Sequence, residues 1–292
     1  MHLRPAVRVG LASCVNVALR ALVVVGVVAP ATAHAQRAPD TATLDRGDGI
    51  SKLGVDVAFS SLEFPVYESA LRLEVHGQHV TRSGLGIYGA LPLARSFGGA
   101  EGAEDPLDLL PDDATALGNV DAGLLYVTRA SRRLSLVLRG GLGIPTSSDG
   151  RDARATLLAA TSPRLTDLPL AIDAWYLRLA LSPLIHVDRL FLRADVGLDL
   201  GIDRDGATAT DLVRLNVGGG VDLGAAALGL ELVNLITLDD FGNGEEALHT
   251  LTFTLRFMGD ELQPYLAVGA PLDDSRRSAV DLYVAAGVQF VP

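Results

Sequence analysis

Strict alternation of apolar and polar residues is the feature that most limits what this chain can fold into. In the stretch LFLRADVGLDLGID (190–203), apolar residues occupy every second position, and Arg193, Asp195 and Asp199 lie between them. Successive side chains of a β-strand point to opposite faces, so this period of two predicts a strand with one aliphatic and one charged face. In a soluble sandwich the aliphatic face would form the core, whereas in a membrane barrel it faces lipid and the charges face the lumen.

The same alternation recurs in about twelve segments along the chain. They are 52–60, 71–77, 84–93, 118–128, 134–144, 175–182, 190–203, 213–223, 228–238, 250–257, 265–270 and 280–290. Many of them approach the roughly 9–11 residues that a tilted membrane strand requires. No stretch of comparable length has the period of a helix, so helices are a poor interpretation throughout.

The connections between these segments alternate in length. Short polar turns such as HVDR (186–189) alternate with longer connections, the longest near 94–116 and 146–170, and RDGAT (204–208) is the exception. Short periplasmic turns and longer external loops are typical of outer-membrane barrels. We therefore predict an all-β fold, a transmembrane antiparallel β-barrel of about 12 strands that occupies residues 51–292 and has both termini on the periplasmic side.

The N-terminus has the pattern of a secretory signal peptide. Arginines precede an apolar run at 21–29, and small residues at 33 and 35 fit a cleavage site after Ala35. We predict a signal peptide at 1–35, then an exposed N-terminal stretch at 36–50. The only cysteine, Cys14, would be removed with the signal peptide, so the mature chain would contain no disulfide.

Charge excludes one class of partner. Cleavage after residue 35 removes three arginines and no acid, so the formal net charge falls from −11 to −14. A chain this acidic offers no basic surface to neutralise phosphates, and we predict that it does not bind nucleic acid.

Catalysis and metal binding find little support in the sequence. The histidines beyond the predicted signal peptide are His76, His79, His186 and His249, and no local Ser–His motif accompanies them. A membrane-embedded hydrolase would need a serine, a histidine and a polar third group that meet. His76 and His79 are three residues apart, so on a strand they would point to opposite faces. We predict no catalytic residue, no metal, no cofactor and no enzymatic activity.

Extending the face assignment to all segments gives the charged side chains that would line the lumen. Those that we single out are Arg139, Arg178, Arg193, Asp195, Asp199, Arg214, Asp222, Glu231 and Arg256. The same faces carry Asp56, Arg72, Glu74, Asp121 and Asp281. Two interpretations remain open, because a sequence does not fix rotamers or loop folding. Either the charges pair across the interior and plug it, or arginines face acids across a water-filled constriction.

The last segment predicts partners in assembly. Residues 280–290 alternate up to Phe290, and an aromatic residue that ends a C-terminal strand resembles the signal for the barrel-assembly machinery. The other partners expected are outer-membrane lipid, lipopolysaccharide and small solutes. The oligomeric state stays open.

One region resembles a known family. The family has a strand with the motif GD-x-x-x-G-x-x-Y, which Gly118, Asn119, Gly123 and Tyr126 match with Asn in place of Asp. It also has a strand that ends in P-T-G-x-D; here that strand ends PTSSD (145–149). On these motifs, residues 84–150 resemble the outer-membrane transporters of the phenol meta-cleavage pathway type. The resemblance implies a barrel and the passage of small organic solutes, and it transfers no binding residue.

These observations predict an outer-membrane β-barrel of a Gram-negative-type bacterium that acts as a channel or passive transporter for small solutes. The alternative is a non-conducting structural or surface-interaction barrel that works through the long loops near 94–116 and 146–170. A membrane-embedded hydrolase is a weaker alternative. The sequence does not decide which solute passes.

Overall fold

The structure is a computed structural model that describes residues 47–62, 68–98, 113–161, 164–202, 209–238 and 247–292. The predicted signal peptide (1–35) lies outside these residues, as does the part of the N-terminal stretch that precedes Gly47.

Thirteen antiparallel strands among the described residues form a single closed sheet. They are β1 (Lys52–Leu62), β2 (Ser69–Val80), β3 (Leu85–Phe97), β4 (Ala114–Leu117), β5 (Val120–Arg129), β6 (Leu134–Ile144), β7 (Trp175–Val187), β8 (Leu190–Ile202), β9 (Leu212–Asp222), β10 (Ala226–Thr237), β11 (Ala247–Phe257), β12 (Leu262–Pro271) and β13 (Val280–Phe290). Both β4 and β5 pair with β3, so together they fill one position in the wall. The barrel therefore has twelve strand positions, as the sequence predicts.

Closure of the sheet joins the first and last strands. Val55 in β1 pairs with Val288 in β13 on one side and with Val75 in β2 on the other. From β5 to β13 each strand pairs with the next in sequence, β3 pairs with both β4 and β5, and β2 pairs with β3 to complete the ring. The prediction of a closed antiparallel barrel of about 12 strands is confirmed.

The aliphatic face of each strand points outward. In β8, Leu192 is 48% exposed and the adjacent Arg193 is 3% exposed, and the same alternation runs through β1, β2 and β13. The outward leucines, valines and phenylalanines form the apolar belt that a membrane barrel presents to lipid. None of the helices among the described residues has the length and apolar character needed to cross a membrane.

The two ends of the barrel differ. One end carries the short connections, including the two-residue turn from β7 to β8, where Asp188 adopts a positive φ of 55°. Positive φ at that position suits the tight turns that match strand twist, and aspartate tolerates it better than most residues. The longer connections lie at the other end. We call these the short-turn end and the long-loop end.

A β-bulge changes one predicted face. The pairing of β1 with β13 shifts between Ser61 and Leu62, so Leu62 faces Val280. Val280 is consequently buried inside, and Asp281, which the sequence places on the lumen face, is exposed. The extra residue at the bulge reverses the side-chain alternation there, and the prediction for Asp281 is wrong.

The connection from β6 to β7 folds into the barrel instead of extending from it. It contains helix α1 (Arg151–Thr161) and a 3₁₀ helix (Leu165–Leu170). Ala153, Leu157 and Ala160 form an apolar stripe on α1 that packs with inward alanines of the wall, including Ala70 and Ala94. The prediction of an external loop at 146–170 is therefore wrong. A second short helix, α2 (Asp274–Arg277), lies between β12 and β13.

Glycines in the wall make room for an inward tyrosine. The ring of Tyr88 in β3 lies over Gly123 and Gly141, and a Cβ at Gly141 would overlap the Tyr88 hydroxyl and lie 2.7 Å from the Ala122 carbonyl oxygen.

Replacing Gly141 with alanine should destabilise the barrel by about 1–3 kcal/mol, the usual cost of overpacking. Gly140→Ala is the matched control, because a Cβ there points outward and meets only Leu179 Cδ2 at 3.7 Å. The stability of both variants can be measured by urea unfolding in lipid vesicles. The folded fraction is read from the band of unboiled protein that migrates faster on a gel. Equal midpoints for the two variants would contradict this account of the Tyr88 contact.

Candidate functional site: the filled lumen

The nine charged side chains singled out from the sequence lie on the inner side of the wall, where charged residues form three groups. Most of them are buried: Arg178, Arg193, Asp195, Asp199, Arg214, Glu231 and Arg256. Arg139 and Asp222 are half-buried. Asp222 is the last residue of β9 at the short-turn end, where its Oδ1 accepts a hydrogen bond from the Gly224 backbone N–H at 2.7 Å.

One group covers the inner face from β5 to β9, and we call it the arginine wall. It consists of Asp121, Arg139, Arg178, Arg193, Asp195, Asp199 and Arg214. Arg178 donates to Asp121 at 2.6 Å and to Asp199 at 3.2 Å. Arg214 donates to the same Asp199 at 3.0 Å. The carboxylates therefore sit between guanidinium groups that neighbouring strands bring together.

Two further pairs complete the arginine wall. Arg193 donates to Asp195, two residues along the same face of β8, at 3.0 Å. Arg139 stacks its guanidinium 3.8 Å from the centre of the Tyr88 ring and lies 3.7 Å from Asp121. A guanidinium over an aromatic face gains a cation–π attraction that is stronger away from water.

A second charged group faces the arginine wall from β1 and β2. Asp56, Arg72, Glu74 and His76 are all buried there. Arg72 donates to Glu74, and His76 Nε2 lies 3.2 Å from Asp56 Oδ2. We call this group the β1–β2 wall.

Residues 145–174, the inserted segment, bridge the two walls. Asp167 accepts a hydrogen bond from Arg72 of the β1–β2 wall at 2.5 Å and forms an ion pair with Arg164 at 3.1 Å. The adjacent Thr166 accepts a hydrogen bond at its carbonyl oxygen from Arg178 of the arginine wall at 2.7 Å. The inserted segment therefore has a polar contact on each side of the lumen.

Apolar packing holds the rest of the inserted segment. Leu165 and Leu168 of the 3₁₀ helix belong to a buried cluster with Tyr176, Leu212 and Val233 of the wall. On the other side, Thr156 of α1 shares a 3.0 Å hydrogen bond with Ser96 of β3.

The chain before β1 enters the lumen from the short-turn end. Asp48 is buried and pairs with Lys52 at 2.9 Å, and Gln78 donates to Asp48 at 2.6 Å. The Gly47 carbonyl oxygen accepts from Arg193 across the barrel at 3.0 Å. We call residues 47–50 the N-terminal strap. The prediction of an exposed stretch at 36–50 is wrong for Gly47 and Asp48, because their polar groups find partners inside the barrel.

Little space remains between the inserted segment and the N-terminal strap. A cavity of about 50 Å³ lies there, and its lining includes Gly47, His76, Arg139, Asp167 and Arg178. It accommodates water but not an organic solute. In this conformation the charges are paired within each wall and with the chain that fills the interior, which agrees with the plugged lumen, the first of the two interpretations drawn from the sequence.

The third group lies apart from both walls. Glu231 accepts a hydrogen bond from Thr254 at 2.7 Å. Arg256 donates to the Gln263 carbonyl oxygen at 3.2 Å and lies over the Tyr265 ring. Among the described residues, no group of three or more His, Cys, Asp or Glu side chains is arranged to hold a metal ion.

Sequence reasoning missed the residues that fill the lumen. Arg164 and Asp167 lie in the connection that the sequence predicts as an external loop, and the sequence predicts no partner for Asp48 or Lys52. A signal was available for the inserted segment, because residues 156–172 (TLLAATSPRLTDLPLAI) are far more apolar than a solvated loop requires. No comparable pattern marks the N-terminal strap.

No protein-family model matches this sequence, and no curated protein matches it either. Solved structures do align with it. The COG4313 outer membrane channel from Pseudomonas putida F1 aligns with a TM-score of 0.58 and 14% identity, over 85% of this chain and 100% of that chain. The NanC porin aligns with a TM-score of 0.53 and 8% identity, over 82% and 100%. Outer membrane phospholipase A from Escherichia coli aligns with a TM-score of 0.42 and 10% identity, over 82% and 90%.

The chain has the fold of an outer-membrane β-barrel. The alignments with the COG4313 channel and the NanC porin, together with the apolar belt, confirm the predicted barrel fold and agree with the predicted outer-membrane localisation. No family model supports the resemblance to transporters of the phenol meta-cleavage pathway type that the sequence motifs indicate. Because one fold serves several functions, the fold alone does not fix the activity of this barrel.

Replacing Asp199 with asparagine should destabilise the barrel by about 3–5 kcal/mol, because Asp199 is fully buried between Arg178 and Arg214 and its loss leaves buried positive charge. Asp222→Asn, at the half-buried strand end, should change stability by less than about 0.5 kcal/mol. Urea midpoints of the two variants in vesicles test this. A small effect at Asp199 would show that water screens the arginine wall.

Proposed function

We propose that this barrel is a gated channel for small solutes across the outer membrane, closed in the present conformation by the inserted segment. The observation that carries the proposal is that two charged walls face each other across the lumen. The inserted segment, which is not part of the barrel wall, lies between them and contacts both. The flux would be passive and would need no cofactor.

The polarity of the lumen supports a pathway over a purely structural filling. Replacing buried ion pairs with apolar side chains is often neutral or stabilising, so they are weak evidence for a structural role. Part of this barrel is filled by apolar side chains instead of ion pairs. Leu125, Val127, Val137 and Leu184 form a buried cluster near the short-turn end. Ionisable residues inside a membrane commonly mark the path of a solute.

The geometry of the inserted segment supports gating. Strands β6 and β7 pair directly, with Gly143 opposite Tyr176 at the long-loop end. The ring of strands is therefore complete without the inserted segment, which can be displaced without opening the wall. Twelve strands lie between the eight that side chains fill and the sixteen or more that enclose a wide aqueous pore, so a narrow path is expected.

The class of solute rests on the family motifs. Gly118, Gly123 and Tyr126, with the PTSSD stretch (145–149), support small organic solutes of the kind that the resemblance implies. The proposal includes lipid, lipopolysaccharide and the barrel-assembly machinery as partners, the last through the strand that ends at Phe290.

The second candidate is a non-conducting barrel, and the filled lumen favours it. Of the two loops proposed for such a role, the one near 146–170 lies inside the barrel. A surface role would therefore depend on the connection between β3 and β4.

The deciding experiment compares the refolded mature chain with a variant in which a short Gly-Ser turn replaces residues 148–168. A short linker can replace them because β6 and β7 are paired directly up to Gly143 and Tyr176, and residues 145–147 and 169–174 are kept on either side. In planar bilayers the mature chain should give small, infrequent current steps and the shortened variant larger, sustained ones. Silence from a shortened variant that is folded by gel migration would favour the non-conducting barrel.

Removing single charges from the lumen should change the ion selectivity of the shortened variant and thereby identify the side chains that line the pathway. In the shortened variant, Asp195→Asn should shift the reversal potential in a salt gradient towards anion preference, and Arg193→Gln should shift it towards cations, because the two are a buried pair on one face of β8. Asp113→Asn is the control, since Asp113 is exposed near the long-loop end. Unchanged potentials for both lumen variants would place the current elsewhere.

A further inference from the structure

Asn119 occupies the break between β4 and β5, where the barrel wall meets the inserted segment. It is fully buried, and the preceding Gly118 still donates its N–H to the wall, to the Pro92 carbonyl oxygen of β3 at 2.9 Å. A Cβ at Gly118 would lie 2.9 Å from the Leu170 carbonyl oxygen, so the inserted segment packs directly on the break. The interruption therefore places a polar side chain against a segment that does not belong to the wall.

The side chain of Asn119 binds both ends of the inserted segment. Its Nδ2 donates to the Pro169 carbonyl oxygen at 3.0 Å and to the Ile172 carbonyl oxygen at 2.5 Å. Its Oδ1 accepts from the Ser147 N–H at 3.1 Å. The Asn119 backbone N–H adds a 2.8 Å bond to the Leu170 carbonyl oxygen.

Only a side chain that both donates and accepts can satisfy this arrangement. A carboxamide has two N–H donors and an accepting oxygen, which match the carbonyl oxygens on one end and the N–H on the other. An aspartate would keep the bond to Ser147 but would turn an acceptor towards carbonyl oxygens. A buried group left without its partner costs more than the bond contributes when it is made.

The position of these bonds sets the direction of the inserted segment. Ser147 lies shortly after β6, and Pro169 and Ile172 lie shortly before β7, so Asn119 fixes both points at which the chain departs from the wall. The contacts of Asp167 and of α1 hold parts farther along the segment. A change at Asn119 would therefore let the whole segment move, whereas a change at another contact would release one part of it.

We propose that Asn119 is the positioning residue that keeps the inserted segment in the lumen and thereby sets the size limit of the pathway. The statement about the pathway rests on the proposed channel function. The statement about the segment does not, and a measurement that needs no current tests it.

The first measurement uses a cysteine reporter. The mature chain from residue 36 contains no cysteine, and Leu157 of α1 is buried in the closed lumen, so Leu157→Cys provides a single reporter. With Asn119 present, a charged thiol reagent should modify it slowly. Asn119→Ala and Asn119→Asp should each raise the rate by roughly tenfold or more, because buried hydrogen bonds are lost. Gel migration of unboiled protein confirms that each variant is folded.

The second measurement locks the segment. Ser96 Oγ and Thr156 Oγ1 are 3.0 Å apart, so Ser96→Cys with Thr156→Cys should form a disulfide between β3 and α1. In the Asn119→Ala barrel, the oxidised lock should return the unit conductance and the size cut-off for sugars to the values of the mature chain. Reduction should enlarge both again. General destabilisation of the wall would not respond to the lock in this way.

The outcomes separate the two proposals. Faster modification and larger conductance that the lock reverses would support the role of Asn119. Unchanged modification in both Asn119 variants would overturn it, and so would conduction by the shortened barrel with unchanged conductance in the Asn119 variants. Faster modification together with silence from the shortened barrel would refute the channel function and its size limit, and would support the positioning of the segment.

Discussion

The structure depends on one constraint, the absence of water from the core of a bilayer. Each backbone N–H and C=O there must find a partner within the protein, so a sheet can cross only if it closes on itself. Here the pairing of β1 with β13 meets that requirement. Once the ring is closed, the alternation along each strand divides the side chains into an outer apolar set and an inner polar set, and everything in the lumen follows from the second set.

The polar side chains of the inner set need partners within the protein. Charges taken out of bulk water are costly unless they are paired, and neighbouring strands meet part of that need in the arginine wall. The remainder is met by chain that is not part of the wall. Asp167 and the Thr166 carbonyl oxygen approach from one end, and Asp48 and the Gly47 carbonyl oxygen from the other. Carbonyl oxygens and carboxylates suit this role because the wall presents many guanidinium donors.

Periodicity predicted the wall, and it failed wherever chain leaves the wall. The faces of β8 follow directly from LFLRADVGLDLGID, because a period of two has one structural meaning in a sheet. Asp281 was misplaced because one bulge residue reverses the alternation, and a bulge has no reliable sequence signature. The alternation predicts continuous strand through Gly118 and Asn119, because a two-residue break leaves the period of two on either side of it unchanged. The direction of the inserted segment depends on contacts between residues far apart in sequence, such as Arg72 with Asp167, which no local pattern encodes.

The packing of α1 has a consequence for assembly. Its buried cluster includes Leu62 of β1 and Val280 of β13, which face each other across the seam where the ring closes. The surface that receives the helix is therefore complete only when β1 and β13 are paired, because Leu62 and Val280 both belong to it. Docking of the helix and closure of the ring therefore stabilise each other, so that a piece of the chain between the sixth and seventh strands contributes to the pairing of the first strand with the last.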